Sequence, residues 1–316
     1  MVIEGTSEAV LNLVKAVEVK RKKASRYVLG FGLGGAATFI LGIVFCGFAM
    51  YGNRYDQAFL VIGSIFFIAG LILIVVGVTY SNHFKRETVE AFSGLIEEKL
   101  FPGILKNPRG GFSEKEVLST GFFAAPDRYY AKDLATGVYK DIAFTKAKYQ
   151  LQRRETRSDG KNTYTDYVDY AVGTLFRFDF ERDFDAVVRV LEKTSFINFA
   201  PRGMKKVETE FIAFNKKFLT YTDDEQLVFY LLTPQIQEKI MSLETMVKGS
   251  FYLAFTDNHL YIAVDDNWTS IKVSVTKQFS VEDAERLIAL LAIPAIFIDE
   301  LGLSKTKYKK DAGTTV

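Results

Sequence analysis

The sequence predicts an α+β protein: a two-helix transmembrane hairpin followed by one cytoplasmic domain with a mainly antiparallel sheet and packed helices. Three observations predict it. Two runs without Asp, Glu, Lys, Arg or His, Tyr27–Met50 and Ala58–Tyr80, hold 24 and 23 residues, and each can cross a hydrocarbon core of about 30 Å at about 1.5 Å per residue. Cations crowd the outer flank of both runs. Beyond Gly103, alternating segments are joined by turns without regular strand–helix–strand order, the pattern of an antiparallel sheet.

The averages hide this division. The chain has 316 residues, 48% hydrophobic, with a net charge of +2, and its mean hydropathy is only +0.07. A signal peptide has an apolar run of about 7–15 residues, so the first run is too long for one, and a second follows at once. Lys20, Arg21, Lys22, Lys23 and Arg26 precede the first span, and His83, Lys85 and Arg86 follow the second. The connecting loop has Arg54 and Asp56, which cancel. Lys and Arg near spans stay on the cytoplasmic side. Both termini are therefore expected to be cytoplasmic, in a two-span protein of the cell membrane.

Small residues recur every seven positions in both spans: Gly35, Gly42 and Ala49, then Gly63, Gly70 and Gly77. Counted outward from Arg54 they fall at 5, 9, 12, 16, 19 and 23 residues, alternating between the helices. Such a repeat lets two backbones approach closely; the plainer reading is that Gly is common in membrane helices. Gly30 and Gly34 form a GxxxG in the same glycine-rich stretch. The single Cys46 lies inside a span and reads as a small apolar filler.

The expected organisation is an N-terminal amphipathic helix over 1–26, the hairpin over 27–81, a cytoplasmic α+β domain over 82–303 and a basic flexible tail over 304–316. Val10, Leu13, Val14 and Val17 share one helical face. That helix either rests on the inner leaflet or packs against the soluble domain beside "HFKRETVEAFSGLIEEKL". Ser113 and Glu116 have capping-box spacing. "IAFTKAKYQLQRRET" alternates as a half-buried strand, with Ala147, Tyr149 and Leu151 inward and Lys146, Lys148, Gln150, Gln152 and Arg154 outward. "SDGKN" is a turn, "YTDYVDYAVGTLFRFDF" returns as a strand or pair of strands, and "AVVRVLE" is another. Thr222 and Glu225 suggest a helix starting near Asp223, and Thr233–Pro234 an N-cap and N1 pair. "SFYLAFTDNHLYIAV" is a hairpin about Asp257–Asn258. "TSIKVSV" is one more strand, and the last helix is capped by Ser280 and disturbed at Pro294.

These elements, with "STGFF", "GTLFRFDFERDF" and "EFIAFNKKFLTYTDDEQLVFYLLTPQIQEKIMSL", resemble the uncharacterised bacterial membrane proteins grouped as domain of unknown function 3137. The shared phrase falls here on Glu210, Phe211, Phe218, Tyr221, Asp224, Leu232, Thr233 and Pro234. Where that family often has Arg–Tyr before Leu–Thr–Pro, this chain has Phe229 and Tyr230. The resemblance extends over the whole chain. It implies a LemA-type membrane protein as a possible partner, and it brings no catalytic residues and no cofactor.

Motifs that carry chemistry are sparse. His83 flanks a span and His259 follows a turn, and neither belongs to HExxH or a spaced Cys/His set. GxSxG and P-loop patterns do not occur, and "GFGLGG" at Gly30–Gly35 lies inside a span with no strand before it. Asp179, Glu181, Asp183 and Asp185 could offer oxygen ligands to a divalent cation, but their alternation with Phe178, Phe180 and Phe184 reads as the polar face of a strand end. The basic set Lys146, Lys148, Arg153, Arg154, Arg157 and Lys161 is the best functional candidate. Lys146, Lys148 and Arg154 would face anionic lipid headgroups, the alternative being a solvated face. Near-balanced charge argues against nucleic acid, and two spans without internal charge argue against transport. The expected function is a membrane-anchored scaffold or binding protein engaging a protein partner or anionic lipid. The alternative is a membrane-anchored enzyme using the carboxylates of Glu210 and Asp224.

Overall fold

The structure, a computed structural model, describes residues 7–51, 57–160, 162–193, 203–247, 249–266 and 274–304. In chain order the elements are α1 (Ser7–Tyr51), α2 (Gln57–Leu100), β1 (Leu105–Asn107), α3 (Glu114–Ser119), β2 (Arg128–Tyr139), β3 (Ile142–Ser158) and β4 (Thr163–Glu192). Then follow β5 (Lys205–Val207), α4 (Ile212–Lys217), β6 (Phe218–Thr222), α5 (Glu225–Leu231), α6 (Pro234–Met246), β7 (Ser250–Asp265), α7 (Val281–Leu291) and α8 (Ile293–Glu300). They form two compact units: Met1–Ile96 with Ile271–Leu291, and Glu97–Ser270 with Ala292–Val316. The single domain expected over 82–303 is thus divided. The turn residues 52–56 and most of "TSIKVSV" lie outside the described residues.

In the first unit α1 and α2 run without interruption through the charge-free stretches and their charged flanks. No proline falls within either helix, so nothing stops them at the edge of the apolar run; α2 ends two residues before Pro102, which cannot continue it. Residues 7–26 are therefore the start of α1 and not a separate helix. Both helices are long and apolar enough to cross a membrane. Glycines set the approach of the two backbones. A Cβ on Gly42 would lie 2.9 Å from the Gly63 oxygen, one on Gly70 2.8 Å from the Gly35 oxygen, and one on Gly77 3.2 Å from Phe31 Cβ. Ala49 is buried, and Cys46 Sγ packs against Gly63. Beyond the apolar runs, Val14 and Val17 of α1 join Phe84, Val89 and Phe92 of α2 and Phe279, Ala284, Leu287 and Ile288 in one core. Each fully buried large side chain there contributes about 1.5–3 kcal/mol. α7 is capped reciprocally: Ser280 Oγ accepts from Asp283 N at 3.1 Å, and Asp283 Oδ2 accepts from Ser280 N at 3.0 Å.

The second unit is built on one antiparallel sheet of seven strands among the described residues, ordered β1-β2-β3-β4-β6-β5, with β7 also paired to β4. β7 doubles back at Asp257, whose φ is 50°. A straight strand of 16 residues would hold its ends about 50 Å apart, yet a Cβ on Gly249 would collide with the Asp265 carbonyl. One ring, Phe297, also meets Phe176 and Phe251 at 5.4 and 5.9 Å. β7 is therefore the hairpin about Asp257–Asn258. Its two arms lie between the halves of β4, which pairs through Thr174–Asp179 with one arm and through Val188–Leu191 with the other, passing the hairpin tip by way of two register shifts.

Because both arms are flanked, β7 is buried over most of its length. Alternation then sends its side chains into two cores. Phe251, Leu253, Phe255, Leu260, Ile262 and Val264 face the larger core, with residues from α5, α6 and α8. Tyr252, Ala254, Tyr261 and Ala263 face the smaller one, with Val117 of α3 and Phe122.

Replacing Gly42 or Gly70 by Phe should lower the thermal midpoint of the detergent-solubilised chain by the equivalent of about 1–3 kcal/mol or more, the usual cost of overpacking. Phe at the exposed Val44 should be mild. Equal midpoints for the three variants would contradict the close contact of α1 and α2.

Candidate functional site

Alternation in β3 buries Ala147, Tyr149 and Leu151 and sends Lys146, Lys148 and Arg154 to the other face. That face is not uniformly solvated. Lys146 Nζ lies 2.6 Å from Glu97 Oε1, with 14% of the lysine side chain and 8% of the glutamate side chain exposed, and Lys106 pairs with the second Glu97 oxygen. Burial pushes the Glu97 carboxyl up, but Lys146 and Lys106 outweigh it and hold the pKa below its usual value. Lys148 is 38% exposed and paired with Asp133 at 2.9 Å. Asp133 is in the left-handed region (φ 60°) beside the bulge in β2. Arg154 is exposed; its backbone N–H donates to Asp127 at 2.7 Å. The expectation of three cations on one exposed face thus fails at Lys146, because the last turn of α2 covers it.

A second polar group, missed from the sequence, holds α3 to the sheet. Arg177 donates to Glu116 Oε1 at 2.7 Å and to Asp179 Oδ1 at 3.0 Å, and the Tyr261 hydroxyl donates to Glu116 at 3.2 Å. Burial raises the Asp179 carboxyl, but His259 and Arg177 overcome it and leave its pKa lowered. His259 Nδ1 lies 2.9 Å from Asp179 Oδ1. Burial and Glu116 push the Tyr261 phenol well up. At the other end of α3, Arg189 donates to the carbonyls of Thr120 (2.7 Å) and Ser119 (3.2 Å). Gly121 has φ 71° and lies against that guanidinium, where a side chain would collide. The sequence signal was the strand parity: Arg177 shares a face with the buried Leu175, and Arg189 with the buried Leu191. Buried-face charge demands partners.

The remaining candidates divide in the same way. Asp179 is committed to this group, Glu181 and Asp185 are exposed, and Asp183 lies outside the described side chains. No group of three His, Cys, Asp or Glu that could hold a metal occurs among the described residues. Glu210 is exposed and Phe211 is the N-cap of α4. Phe218, Tyr221 and Leu232 are buried. Asp224, not Thr222, caps α5, accepting from Gln226 N at 2.9 Å, while the Thr222 hydroxyl accepts from Asp224 N at 3.0 Å. Thr233 is the N-cap of α6, with Pro234 in its first turn. Just behind them the buried Gln237 donates to the Leu232 carbonyl at 2.6 Å and accepts from the Thr209 hydroxyl at 2.8 Å. Asp224 thus serves a helix end, and residues 210–234 carry α4, β6, α5 and the start of α6. The large exposed apolar residues of α4 and α5 are Ile212 (70%), Phe229 (56%) and Tyr230 (49%), next to the buried Leu227, Val228 and Leu231.

Glu97→Gln leaves two lysines without their shared counter-charge and should cost on the order of 3 kcal/mol at pH 7 by urea unfolding. A carboxyl whose folded pKa is lowered stabilises above its unfolded pKa of about 4.3 and loses that contribution as pH falls through the folded value. The gap between parent and variant should therefore narrow on acidification below about pH 4; a constant gap would contradict the pairing.

No curated protein matches the chain. The crystal structure of the mycobacterial trehalose monomycolate transport factor A is similar over 66% of this chain and 95% of that one, at 10% identity and a TM-score of 0.36. A family model described as "Protein of unknown function (DUF3137)" matches residues 172–303, from a third of the way along β4 to the end of the described C-terminal helix region, so the resemblance to that family is supported over this stretch of the chain.

Proposed function

We propose that this is a membrane-anchored binding protein whose sheet unit docks a protein partner on the cytoplasmic side. The observation that carries the reading is the exposure of Phe229, Tyr230 and Ile212 on α5 and α4. Exposed aromatic groups beside well-packed neighbours are what a partner buries at an interface. The other apolar residues of α5 are turned into the core, which anchors the helix while the rings of Phe229 and Tyr230 remain about half exposed. A LemA-type membrane protein is one candidate partner, as the resemblance implies. Arg177, Arg189 and Glu116 are positioning residues in this reading, since their bonds hold α3.

A photo-crosslinking phenylalanine at position 229 in cells should give a discrete adduct, whereas one at the exposed Tyr164 should not. Phe229→Ala with Tyr230→Ala should abolish co-purification while leaving thermal stability within about 0.5 kcal/mol, as for other surface substitutions. The same partner retained by the double variant would contradict docking at these rings.

The cytoplasmic placement rests on the cations flanking the two spans. In a Cys46→Ala background, Asn53→Cys should label with an impermeant thiol reagent in intact cells and Ser304→Cys should not. Labelling at 304 would reverse the orientation.

A further inference from the structure

Tyr27 and Tyr80 meet edge-on, with ring centroids 5.7 Å apart, where the two charge-free runs give way to charged sequence. Both rings are exposed. Phenols at that level of a spanning helix sit among lipid headgroups. Lys20, Lys23 and Tyr27 fall at i, i+3 and i+7 on one face of α1, Arg26 adjoins Tyr27, and Tyr80 and His83 are one turn apart on α2. Lys20, Lys23 and Arg26 are exposed and make no ion pair among the described residues. The nearby carboxylates are engaged elsewhere: Glu18 with Arg21 at 2.7 Å, Glu87 with His83 at 3.1 Å, and Glu90 with Arg86 at 3.8 Å. On the other side of the tyrosines lie the exposed Leu29, Leu33 and Val78, a surface for acyl chains.

We propose that Lys20, Lys23 and Arg26, around the Tyr27–Tyr80 pair, bind the phosphate headgroup of an anionic phospholipid. The proposal rests on the spanning reading of α1 and α2, and it moves lipid recognition from β3, where Lys146 and Lys148 are paired internally, to the inner end of the helix pair. Cations next to an apolar face match a molecule that is both anionic and apolar; a free phosphate would use only half of the surface. Basic pockets between spanning helices recognise such headgroups by the same physics.

The test uses the full chain in mild detergent, where membrane orientation no longer matters, with equal amounts of dioleoylphosphatidylglycerol and dioleoylphosphatidylcholine added and bound lipid counted by native mass spectrometry. The parent should retain the anionic lipid preferentially. Lys20→Gln with Lys23→Gln and Arg26→Gln should reduce that retention by roughly five-fold per cation, leaving the neutral lipid unchanged, and Lys20→Arg with Lys23→Arg should keep it. Lys205→Gln with Lys206→Gln, on β5, removes two cations elsewhere and should have no effect. Equal retention of both lipids by the parent, retention of neither, or undiminished preference in the triple Gln variant overturns the proposal, whereas the spanning reading beneath it fails separately if the parent stays soluble and monomeric when the detergent is removed.

Discussion

Apolar surface that water cannot tolerate governs this chain, and the protein disposes of it in two opposite ways. In α1 and α2 the most apolar windows are only 11% buried within the protein, so Ile40, Val61, Ile65, Ile68 and Ile72 point outward. A core helix of a soluble protein would turn them inward. A helix satisfies its own backbone in hydrocarbon, and the two charge-free runs, folded as unbroken helices, are long and apolar enough to cross it. In the sheet unit the same residue types turn inward, toward cores on both faces of the sheet.

Each solution needs its own device for close approach. Helices in lipid gain little hydrophobic drive from each other and associate by packing, and here the glycines at 35, 42, 63 and 70 bring backbone against backbone. In the sheet, β7 supplies two arms that pair with β4 and with the centre of both cores. Three charged groups beside those cores are matched by named partners: Arg177 by Glu116 and Asp179, Arg189 by two carbonyls, Glu97 by two lysines.

Features encoded by local patterns were legible in the sequence. The two long apolar helices follow from missing charge, the β3 strand from alternation at Ala147, Tyr149 and Leu151, the β7 hairpin from Asp257–Asn258, and the α6 start from Thr233–Pro234. What escaped depends on partners distant in sequence. Lys146 looked exposed because its alternation is polar, but Glu97, 49 residues earlier, covers it. α1 and α2 ran past the expected boundaries because a boundary was read from charge, while a helix ends only where its backbone is stopped. The path of β4 around a hairpin formed some 70 residues later leaves no local trace. Arg177 and Arg189 were visible as charges on an apolar parity, yet their partners on α3 were not.

The central claim is that the outward faces of α1 and α2 meet lipid. Its most direct test is a nitroxide attached to Ile65→Cys or Ile72→Cys in a Cys46→Ala background, with the full chain in lipid nanodiscs and collision rates measured for molecular oxygen, which partitions into hydrocarbon, and for a water-soluble nickel complex. Oxygen should dominate at both positions. Collisions dominated by the nickel complex would place those side chains in water and contradict the account.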